Sequence, residues 1–201
     1  MIQDRQKKPD RRIAKTKRAI RSALAALMAE KPYYEISVKE IAELADINRK
    51  TFYNYYSGVY QVVEEIENEI IKRLDILINE IDLKAYIDNP FNILEHMNSV
   101  LNEDIEFYGH LFSLKDGYPF TQKIVDYFKL RLKESFIKQF PKVKVQDWVA
   151  NIILDYSVTG MISVYHKWFN SDQRKSLDEI SQVISLMAAN GINCIITEQN
   201  Q

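Results

Sequence analysis

Apolar residues recur along this chain at steps of three and four positions, the spacing that places them on one face of an α-helix. The longest series runs from Val59 to about Leu83, and two further regular series cover residues 146–169 and 176–196. No segment alternates apolar and polar residues over the length of a half-buried strand. The pattern therefore predicts an all-α fold of about nine helices.

Capping and breaking residues set the expected ends of the other helices. Proline interrupts the apolar periodicity at Pro32 and Pro141, and Asn89-Pro90 has the form of a helix start. Ser176 and Glu179 have the spacing of a capping box ahead of the last helix. The expected ranges are 10–29, 90–105, a short helix between loops within 109–119, and 124–139.

Residues 37–56 predict two short helices joined by a tight turn. Ser37 is expected to cap the first helix, and Glu40, three positions later, completes a capping box. Asp46 falls where the chain reverses, and aspartate is among the few residues that tolerate a left-handed backbone. Asn48 is expected to cap the second helix. This arrangement predicts a helix-turn-helix.

The second of these helices carries far more hydrogen-bonding groups than a buried helix needs. Phe52 is its inward residue. An exposed helix of this chemistry commonly reads the DNA major groove. The groups on its other faces are Arg49, Lys50, Thr51, Tyr53, Asn54 and Tyr55.

These side chains match the groups that base pairs present in the major groove. Arg49 or Lys50 is expected to pair with guanine, and Asn54 with adenine. Thr51 or Tyr53 is expected at a thymine methyl group or at a phosphate.

Together with the preceding helix, this stretch resembles the DNA-binding domain of the TetR family of bacterial transcriptional regulators. The resemblance covers about the first quarter to third of the chain, and beyond it the match is one of architecture. Asp46 stands where the family usually has a turn glycine, and Val59 where it usually has a lysine. The carrying residues are Ile41-Ala42 and the run Ile47-Asn48-Arg49-Lys50-Thr51-Phe52-Tyr53-Asn54-Tyr55-Tyr56.

The resemblance also implies contacts outside the second helix. The start of the first helix lies near the DNA backbone in the family, so Lys15, Thr16 and Lys17 are expected at phosphates. Lys39 is another candidate for a backbone contact. The expected DNA-binding set is Lys15, Thr16, Lys17, Ser37, Lys39, Asn48, Arg49, Lys50, Thr51, Tyr53, Asn54 and Tyr55.

Each of the three tyrosines Tyr53, Tyr55 and Tyr56 could contact DNA or, alternatively, pack in the core. Tyr56 is expected to be buried, because the family has a buried phenylalanine at that position. Phosphate contact is favoured for Tyr53 and Tyr55.

Charge divides the chain into a basic and an acidic part. Residues 1–58 hold 13 Lys and Arg against 7 Asp and Glu, a net of +6, whereas residues 59–201 hold 14 against 21, a net of −7. Only the basic part is suited to a polyanion, although a solubilising charge run is the simpler alternative. We expect a mobile basic arm at 1–9, a helix-turn-helix domain at 10–58 and a regulatory and dimerisation domain at 59–201.

Several classes of protein are excluded. Cys194 is the lone cysteine, so an internal disulfide and a cysteine zinc cluster are ruled out, and a reducing cytoplasm fits. No apolar run approaches the roughly 20 residues that span a bilayer. The polar N-terminus lacks the apolar segment of a secretory signal. A cytoplasmic protein, associated with the nucleoid when bound to DNA and without a membrane partner, is expected.

Catalytic and metal-binding patterns are also missing from the sequence. His96, His110 and His166 are scattered, with no helical spacing suited to metal ligands. Neither a nucleophile elbow nor a glycine-rich phosphate loop is present. We therefore expect no enzyme activity, no metal and no cofactor.

The acidic part is rich in aromatic and sulfur-containing side chains. The family resemblance implies a small-molecule pocket there, and core packing is the alternative for each residue. The candidate lining residues are His96, Met97, Phe128, Trp148, Asn151 and Tyr156.

The last two helices carry small residues that would let helix backbones approach closely. The resemblance implies that they pair with a second copy in a four-helix bundle, and intrachain packing is the alternative. The candidate interface residues are Ser157, Gly160, Met161, Val164, Ile184, Met187, Ala188, Gly191 and Ile195.

These features together predict a homodimeric regulator that binds a palindromic operator on double-stranded DNA. A small-molecule effector would release or re-pose it, and the resemblance favours repression over activation. The alternative is a DNA-bound regulator that is controlled by a protein partner and has no ligand pocket.

Overall fold

The computed structural model describes residues 11–80, 82–83, 91–113, 119–143, 145–172 and 175–198, with the side chains at 92, 93, 119–121 and 188–198 left out. No strand occurs in these ranges, and the all-α prediction is confirmed. The predicted arm at 1–9 and the helix start at Asn89-Pro90 lie outside them. The helices are α1 (Arg11–Glu30), α2 (Val38–Leu44), α3 (Arg49–Tyr53), α4 (Val59–Glu80), α5 (Phe91–Glu103), α6 (Ile105–Phe112), α7 (Pro119–Gln139), α8 (Asp147–Phe169) and α9 (Leu177–Glu198), with a 3-10 turn at Tyr33–Glu35.

The chain divides into two compact units. The head unit is Met1–Ile66 and the body unit is Glu67–Gln201. The boundary falls inside α4, whereas the sequence-based boundary at residue 58 lies just before that helix.

The head unit packs α1 against α2, and α2 against α3. Ile20 and Leu24 of α1, Ile41 of α2 and Phe52 of α3 are fully buried. Ile13 belongs to the apolar series of α1 but is exposed, because the packed part of this helix begins only at Ile20. The buried side of α1 is therefore shorter than the helix predicted at residues 10–29.

The predicted capping box and turn of the head are present. Ser37 Oγ accepts from the Glu40 backbone N–H at 3.3 Å, and the Glu40 carboxylate accepts from the Ser37 N–H at 2.9 Å. Hydrogen bonds from Lys31 and then from Ser37 lower the pKa of Glu40 to about 2. Asp46 has φ of 52°, so the expected left-handed residue stands between α2 and α3. The Ile47 N–H then donates to the Ala42 carbonyl at 2.9 Å and closes the turn.

The body unit has an apolar cluster to which α4, α7 and α8 contribute. Leu77 and Ile78 of α4, Phe128 of α7 and Val158 of α8 are its buried members. The surrounding, partly buried side chains are Leu74, Leu83, Met97, Val125, Leu132, Met161 and Ile162.

Long polar side chains join the body part of α4 to α7. Asp75 accepts from the Tyr127 hydroxyl at 2.8 Å and from Arg131 Nε at 2.9 Å. Lys123 pairs with Glu67, and both residues come earlier in their helices than the Asp75 contacts do. Residue numbers therefore increase in the same direction along α4 and α7, so the two helices are parallel.

A buried polar cluster joins α5, α8 and α9. The Tyr165 hydroxyl lies 2.9 Å from Asn98 Oδ1 and 2.7 Å from Ser181 Oγ. Asn98 Nδ2 donates to Asp178 at 2.8 Å, and the Ser185 hydroxyl donates to the Ser181 carbonyl at 2.7 Å. Burial raises the pKa of Tyr165 to about 12, so its hydroxyl is protonated at neutral pH.

The short helix predicted within residues 109–119 is present but lies earlier in the chain, at Ile105–Phe112. Gly109 lies inside α6, and the helix expected to continue through Ile105 is instead interrupted at Asp104. A Cβ at Gly109 would meet the Phe169 ring at 3.3 Å, so this glycine lets α6 approach α8 closely. The rest of that predicted segment, residues 114–118, lies outside the described ranges, and α7 begins at Pro119 rather than at residue 124.

Candidate nucleic-acid interface

Helix α3 is only five residues long and is held at both ends. Asn48 caps it by accepting from the Lys50 N–H at 2.8 Å, as predicted. Phe52 anchors it in the core, with its ring centroid 5.7 Å from that of Tyr53 and 5.6 Å from that of Tyr56. This anchoring turns the remaining side chains of α3 away from the core.

The outward side chains of α3 are the ones predicted to read DNA. Arg49, Lys50 and Asn54 are exposed, and Tyr53 is 58% exposed. Thr51 and Tyr55 are half-buried. Within the described ranges, no hydrogen bond or ion pair engages the side chains of Arg49, Lys50 or Asn54. Their donors and acceptors are therefore available to an external partner.

Ser37 and Asn48, which complete the predicted set on this side, use their side chains to cap helices. The Ser37 hydroxyl also donates to the Glu40 carboxylate at 2.8 Å. Lys39 is exposed on α2, with Nζ 3.9 Å from the Glu43 carboxylate. The exposed cation of Lys39 remains suited to a phosphate, whereas the hydroxyl of Ser37 is already engaged.

The three predicted phosphate contacts on α1 differ in their surroundings. Lys15 is exposed. The Thr16 hydroxyl donates to the Arg12 carbonyl at 3.0 Å. Lys17 Nζ donates to Glu65 at 2.7 Å and lies 5.1 Å from the ring centroid of Tyr56. Only Lys15 of the three has a side chain that points into solvent without such a bond.

Tyr56 is buried, as predicted, and its hydroxyl has a polar partner. That hydroxyl donates to the second oxygen of Glu65 at 2.9 Å. Burial by itself would raise the pKa of Glu65, but the hydrogen bonds from Lys17 and Tyr56 outweigh it and the pKa is lowered. The role of Glu65 could not be predicted from the sequence, since its two partners lie 48 and 9 positions away and no local spacing points to them.

The predicted pocket residues fall into two groups in the body unit. Met97 and Phe128 come together in the apolar cluster. Trp148 and Tyr156 are 62% and 74% exposed, and Asn151 is exposed and accepts from Lys133 at 3.2 Å. Tyr156 lies on the side of α8 opposite the buried Val158 and Tyr165, Trp148 and Asn151 are exposed near the start of that helix, and His96 is exposed on α5. A single chain therefore does not enclose the six residues in one site.

The predicted interface residues lie on the last two helices. Gly160, Val164 and Met187 are exposed, and a Cβ at Gly160 would have open space around it. Ser157, Met161 and Ile184 are half-buried. The side chains of Ala188, Gly191 and Ile195 lie outside the described ranges. Apolar side chains that sequence analysis did not assign to this surface are exposed beside them: Ile152, Val183 and Leu186.

No group of three or more His, Cys, Asp or Glu side chains that could hold a metal ion occurs among the described residues. None of the described helices is both long and apolar enough to cross a membrane.

Solved structures share this fold. FadR from Bacillus halodurans has a TM-score of 0.66 at 15% identity, over 93% of this chain and 98% of that one. FadR from Bacillus subtilis, in complex with stearoyl-CoA, has a TM-score of 0.62 at 17% identity, over 87% and 98%. The dihydroxyacetone kinase operon activator DhaS has a TM-score of 0.55 at 22% identity, over 89% and 97%. At these identities the likeness is one of fold.

Sequence comparison covers both units. Transcription antitermination protein NusB of Pseudomonas fluorescens (strain Pf0-1) is 28% identical over 113 residues, which are 50% of this chain and 64% of that protein. Residues 20–66 match the family model for bacterial regulatory proteins of the tetR family, and residues 88–190 match that for a transcriptional regulator C-terminal region. The chain therefore belongs to the TetR family of bacterial transcriptional regulators.

Proposed function

We propose that this chain is a homodimeric, operator-binding regulator. Each α3 would enter the major groove of one half of a palindromic site. The half-sites would lie about one helical turn, ~34–36 Å, or somewhat more apart. It would act in the cytoplasm, on the nucleoid, and the body unit would receive the controlling signal.

The observation that carries this proposal is that α3 exposes polar side chains that make no hydrogen bond or ion pair within the described residues. Arg49 and Lys50 supply cationic donors, and Asn54 supplies an amide that can bond adenine through two atoms. The stretch of residues 1–58, with its net charge of +6, supplies the attraction for a polyanion. The acidic body would keep the rest of the chain away from phosphates.

Selection of duplexes from a random-sequence pool tests this proposal directly. The expected result is an enriched site with two inverted half-sites, bound more weakly as salt is raised. Enrichment of an unsymmetrical site would contradict binding as a symmetric dimer. Failure to enrich any site, even in dilute buffer, would contradict operator binding itself.

The proposed dimer is supported by exposed apolar side chains on α8 and α9. Trp148, Ile152 and Tyr156 recur at four-residue steps on α8, and Leu186 and Met187 are 59% and 63% exposed on α9. Two adjacent helices with such faces would bury them against a two-fold mate. Sedimentation equilibrium is expected to give twice the mass of the chain, and a monomer at micromolar concentration would contradict the proposal.

For the effector, we propose a small molecule bound in the body unit near Met97 and Phe128. These side chains lie in the apolar cluster shared by α4, α7 and α8, so a ligand there would act on α4. Native mass spectrometry of the protein purified from its host is expected to show a retained small molecule. The fold relative from Bacillus subtilis contains stearoyl-CoA, so a long-chain acyl-CoA belongs in the first set of probes.

Control by a protein partner is the second candidate, and the exposed outer side of α8 favours it. Trp148 and Tyr156, expected in a pocket, are instead placed where another protein could cover them. A partner that co-purifies and is lost when Trp148 is replaced by alanine, from a protein that remains dimeric, would support this candidate over the small molecule.

The direction of regulation follows the family resemblance, which favours repression. One fold relative is named an operon activator, so activation is the competing result. A reporter gene placed behind the selected site distinguishes the two: deletion of the regulator raises expression under repression and lowers it under activation.

A further inference from the structure

Glu65 binds side chains from two other segments of the head unit. One carboxylate oxygen accepts from Lys17 of α1 at 2.7 Å, and the other accepts from the Tyr56 hydroxyl at 2.9 Å. Lys17 Nζ also lies 5.1 Å from the Tyr56 ring centroid, within the range of a cation–π contact. The three side chains therefore form a closed cluster, which we call the Glu65 cluster, between α1, the segment after α3, and α4.

Helix α3 needs support of this kind because it is too short to hold itself. Five residues are fewer than two turns, and isolated helices of such length are unstable in water. Phe52 gives α3 one apolar anchor, about which the helix could still turn. Tyr56 follows one turn later and gives the second anchor, whose hydroxyl is held by Glu65. The Glu65 cluster thus limits the rotation of α3.

The same contacts argue against Lys17 as a phosphate ligand. Moving its ammonium group to a phosphate would take the hydrogen-bonded cation away from a half-buried Glu65 carboxylate, which is costly even with the charge of Arg21 nearby. The Glu65 carboxylate would also repel a phosphate placed near Lys17. Lys15 lies on the same helix, is exposed, and has no ion pair among the described residues.

We infer that Lys17 and Glu65 are positioning residues for operator recognition, which act through Tyr56 to set the orientation of α3, and that Lys17 does not contact DNA. This inference rests on the proposed operator-reading role of α3. A small tilt of α3 would misplace Arg49 and Asn54 at base edges, because recognition geometry must hold to within about 0.5 Å and 10–20°. Loss of the cluster would therefore reduce discrimination between sites more than it reduces attraction to the backbone.

The first test uses the full chain without DNA. Lys17→Met and Tyr56→Phe are each expected to speed amide hydrogen exchange across residues 49–56 by about tenfold, since each removes a hydrogen bond to Glu65. Exchange across α2, residues 38–44, serves as the internal control and is expected to stay unchanged. Tyr56→Phe keeps the ring in the core, so it remains informative if Lys17→Met folds poorly. Unchanged exchange across 49–56 in both variants would overturn the inference.

The second test compares Lys17→Met with Lys15→Met on a duplex selected by the wild-type chain and on a shuffled duplex of the same composition. Lys17→Met is expected to lower the ratio of the two affinities about tenfold and to leave the slope of log affinity against log salt unchanged. Lys15→Met is expected to flatten that slope by about 0.9 and to keep the ratio. Lys17→Arg, which can still bond Glu65 and cover the Tyr56 ring, is expected to retain the ratio.

A Lys17→Met variant that flattens the salt slope and keeps the affinity ratio would identify Lys17 as a phosphate ligand and overturn the inference. If the wild-type chain selects no duplex, the proposed function fails, and the exchange experiment still decides whether the Glu65 cluster orients α3.

Discussion

At the scale of the residue, Asn54 illustrates how a side chain becomes available for recognition. It ends α3, where its backbone N–H donates to the Lys50 carbonyl, and its side chain is left exposed. The backbone N–H of this residue is therefore bonded within the helix, and its side-chain amide makes no hydrogen bond to another described residue.

Replacing Asn54 by alanine is expected to relax discrimination at one base pair of the operator by about 1–3 kcal/mol, because the amide can bond both N6 and N7 of adenine. The measurement is a titration of operator variants that differ at single positions. Asn68→Ala, an exposed asparagine of α4 in the body unit, is the matched control and is expected to leave the pattern unchanged. Equal discrimination by Asn54→Ala and the wild type would rule out base contact by Asn54.

Tyr165 has the opposite surroundings, since its ring and hydroxyl are fully buried. Tyr165→Phe removes a hydrogen bond to the Asn98 and Ser181 pair and is expected to lower the free energy of unfolding at pH 7 by about 1–2 kcal/mol. Urea denaturation followed by circular dichroism measures the change. Tyr60→Phe, on a side chain of α4 that is 66% exposed and outside the proposed dimer interface, is expected to change nothing measurable.

Alkaline pH gives a second measurement on the same residue. The pKa of Tyr165 is raised to about 12 by burial, so the unfolded chain loses this proton first, at its ordinary value near 10. The contribution of Tyr165 is therefore complete below pH 10 and is lost as pH rises towards 12. The stability difference between wild type and Tyr165→Phe is expected to shrink over that interval, and a constant difference would contradict the raised pKa.

At the scale of the element, α8 shows why an apolar pattern does not always tell which side is buried. Val158, Tyr165 and Trp168 face the core, yet Ile152 and Tyr156 in the same apolar series are exposed. A helix that is apolar on most of its circumference has no clear polar side, so periodicity predicts the helix and leaves its orientation open. The neighbouring helices decide it, and the outer face is then left for another molecule to cover.

The pairing of α4 with α7 depends on Asp75, which two α7 side chains contact. Hydrogen bonds from Tyr127 and then from Arg131 lower the pKa of Asp75. Its contribution to stability is present at neutral pH and is lost as pH falls below the ordinary carboxyl value and through the folded-state value.

Asp75→Asn is therefore expected to lower the stability of the body unit at pH 7 and to make its loss of stability on acidification shallower. Urea denaturation at pH 7 and near pH 3.5 measures both effects. Glu80→Gln, an exposed carboxylate further along α4, is the control and should match the wild type. An Asp75→Asn variant with the wild-type acid profile would mean that this carboxylate does not stabilise the helix pair.

At the scale of the whole molecule, the proposed dimer joins two head units, so its affinity for the operator exceeds that of a single head unit. Gly160→Asp places a charge on the exposed face of α8, where a new Cβ meets no atom of the described residues within 4 Å apart from its own helix turn. We expect monomers in sedimentation experiments and a loss of about 10²-fold or more in operator affinity, since the second head no longer binds at high effective concentration.

The control for the dimer variant is Ile76→Asp, because Ile76 is 58% exposed on α4 and outside the proposed interface. It is expected to remain dimeric with unchanged operator affinity. A dimeric Gly160→Asp protein would place the interface elsewhere on the body unit.

Local chemistry is what the sequence by itself determined. The capping box at Ser37, the left-handed Asp46 and the cap at Asn48 depend on groups within a few residues of one another, so contiguous residues predicted them correctly. The short helix around Gly109 was predicted too late in the chain, because the role of this glycine at a helix crossing is visible only when Phe169, 60 positions away, is placed against it. Tertiary structure alone decided the partner of Lys17, the buried side of α8 and the pairing of α4 with α7. These features depend on contacts between segments that are distant in sequence. The apolar and polar pattern of one segment does not identify the segment against which it packs.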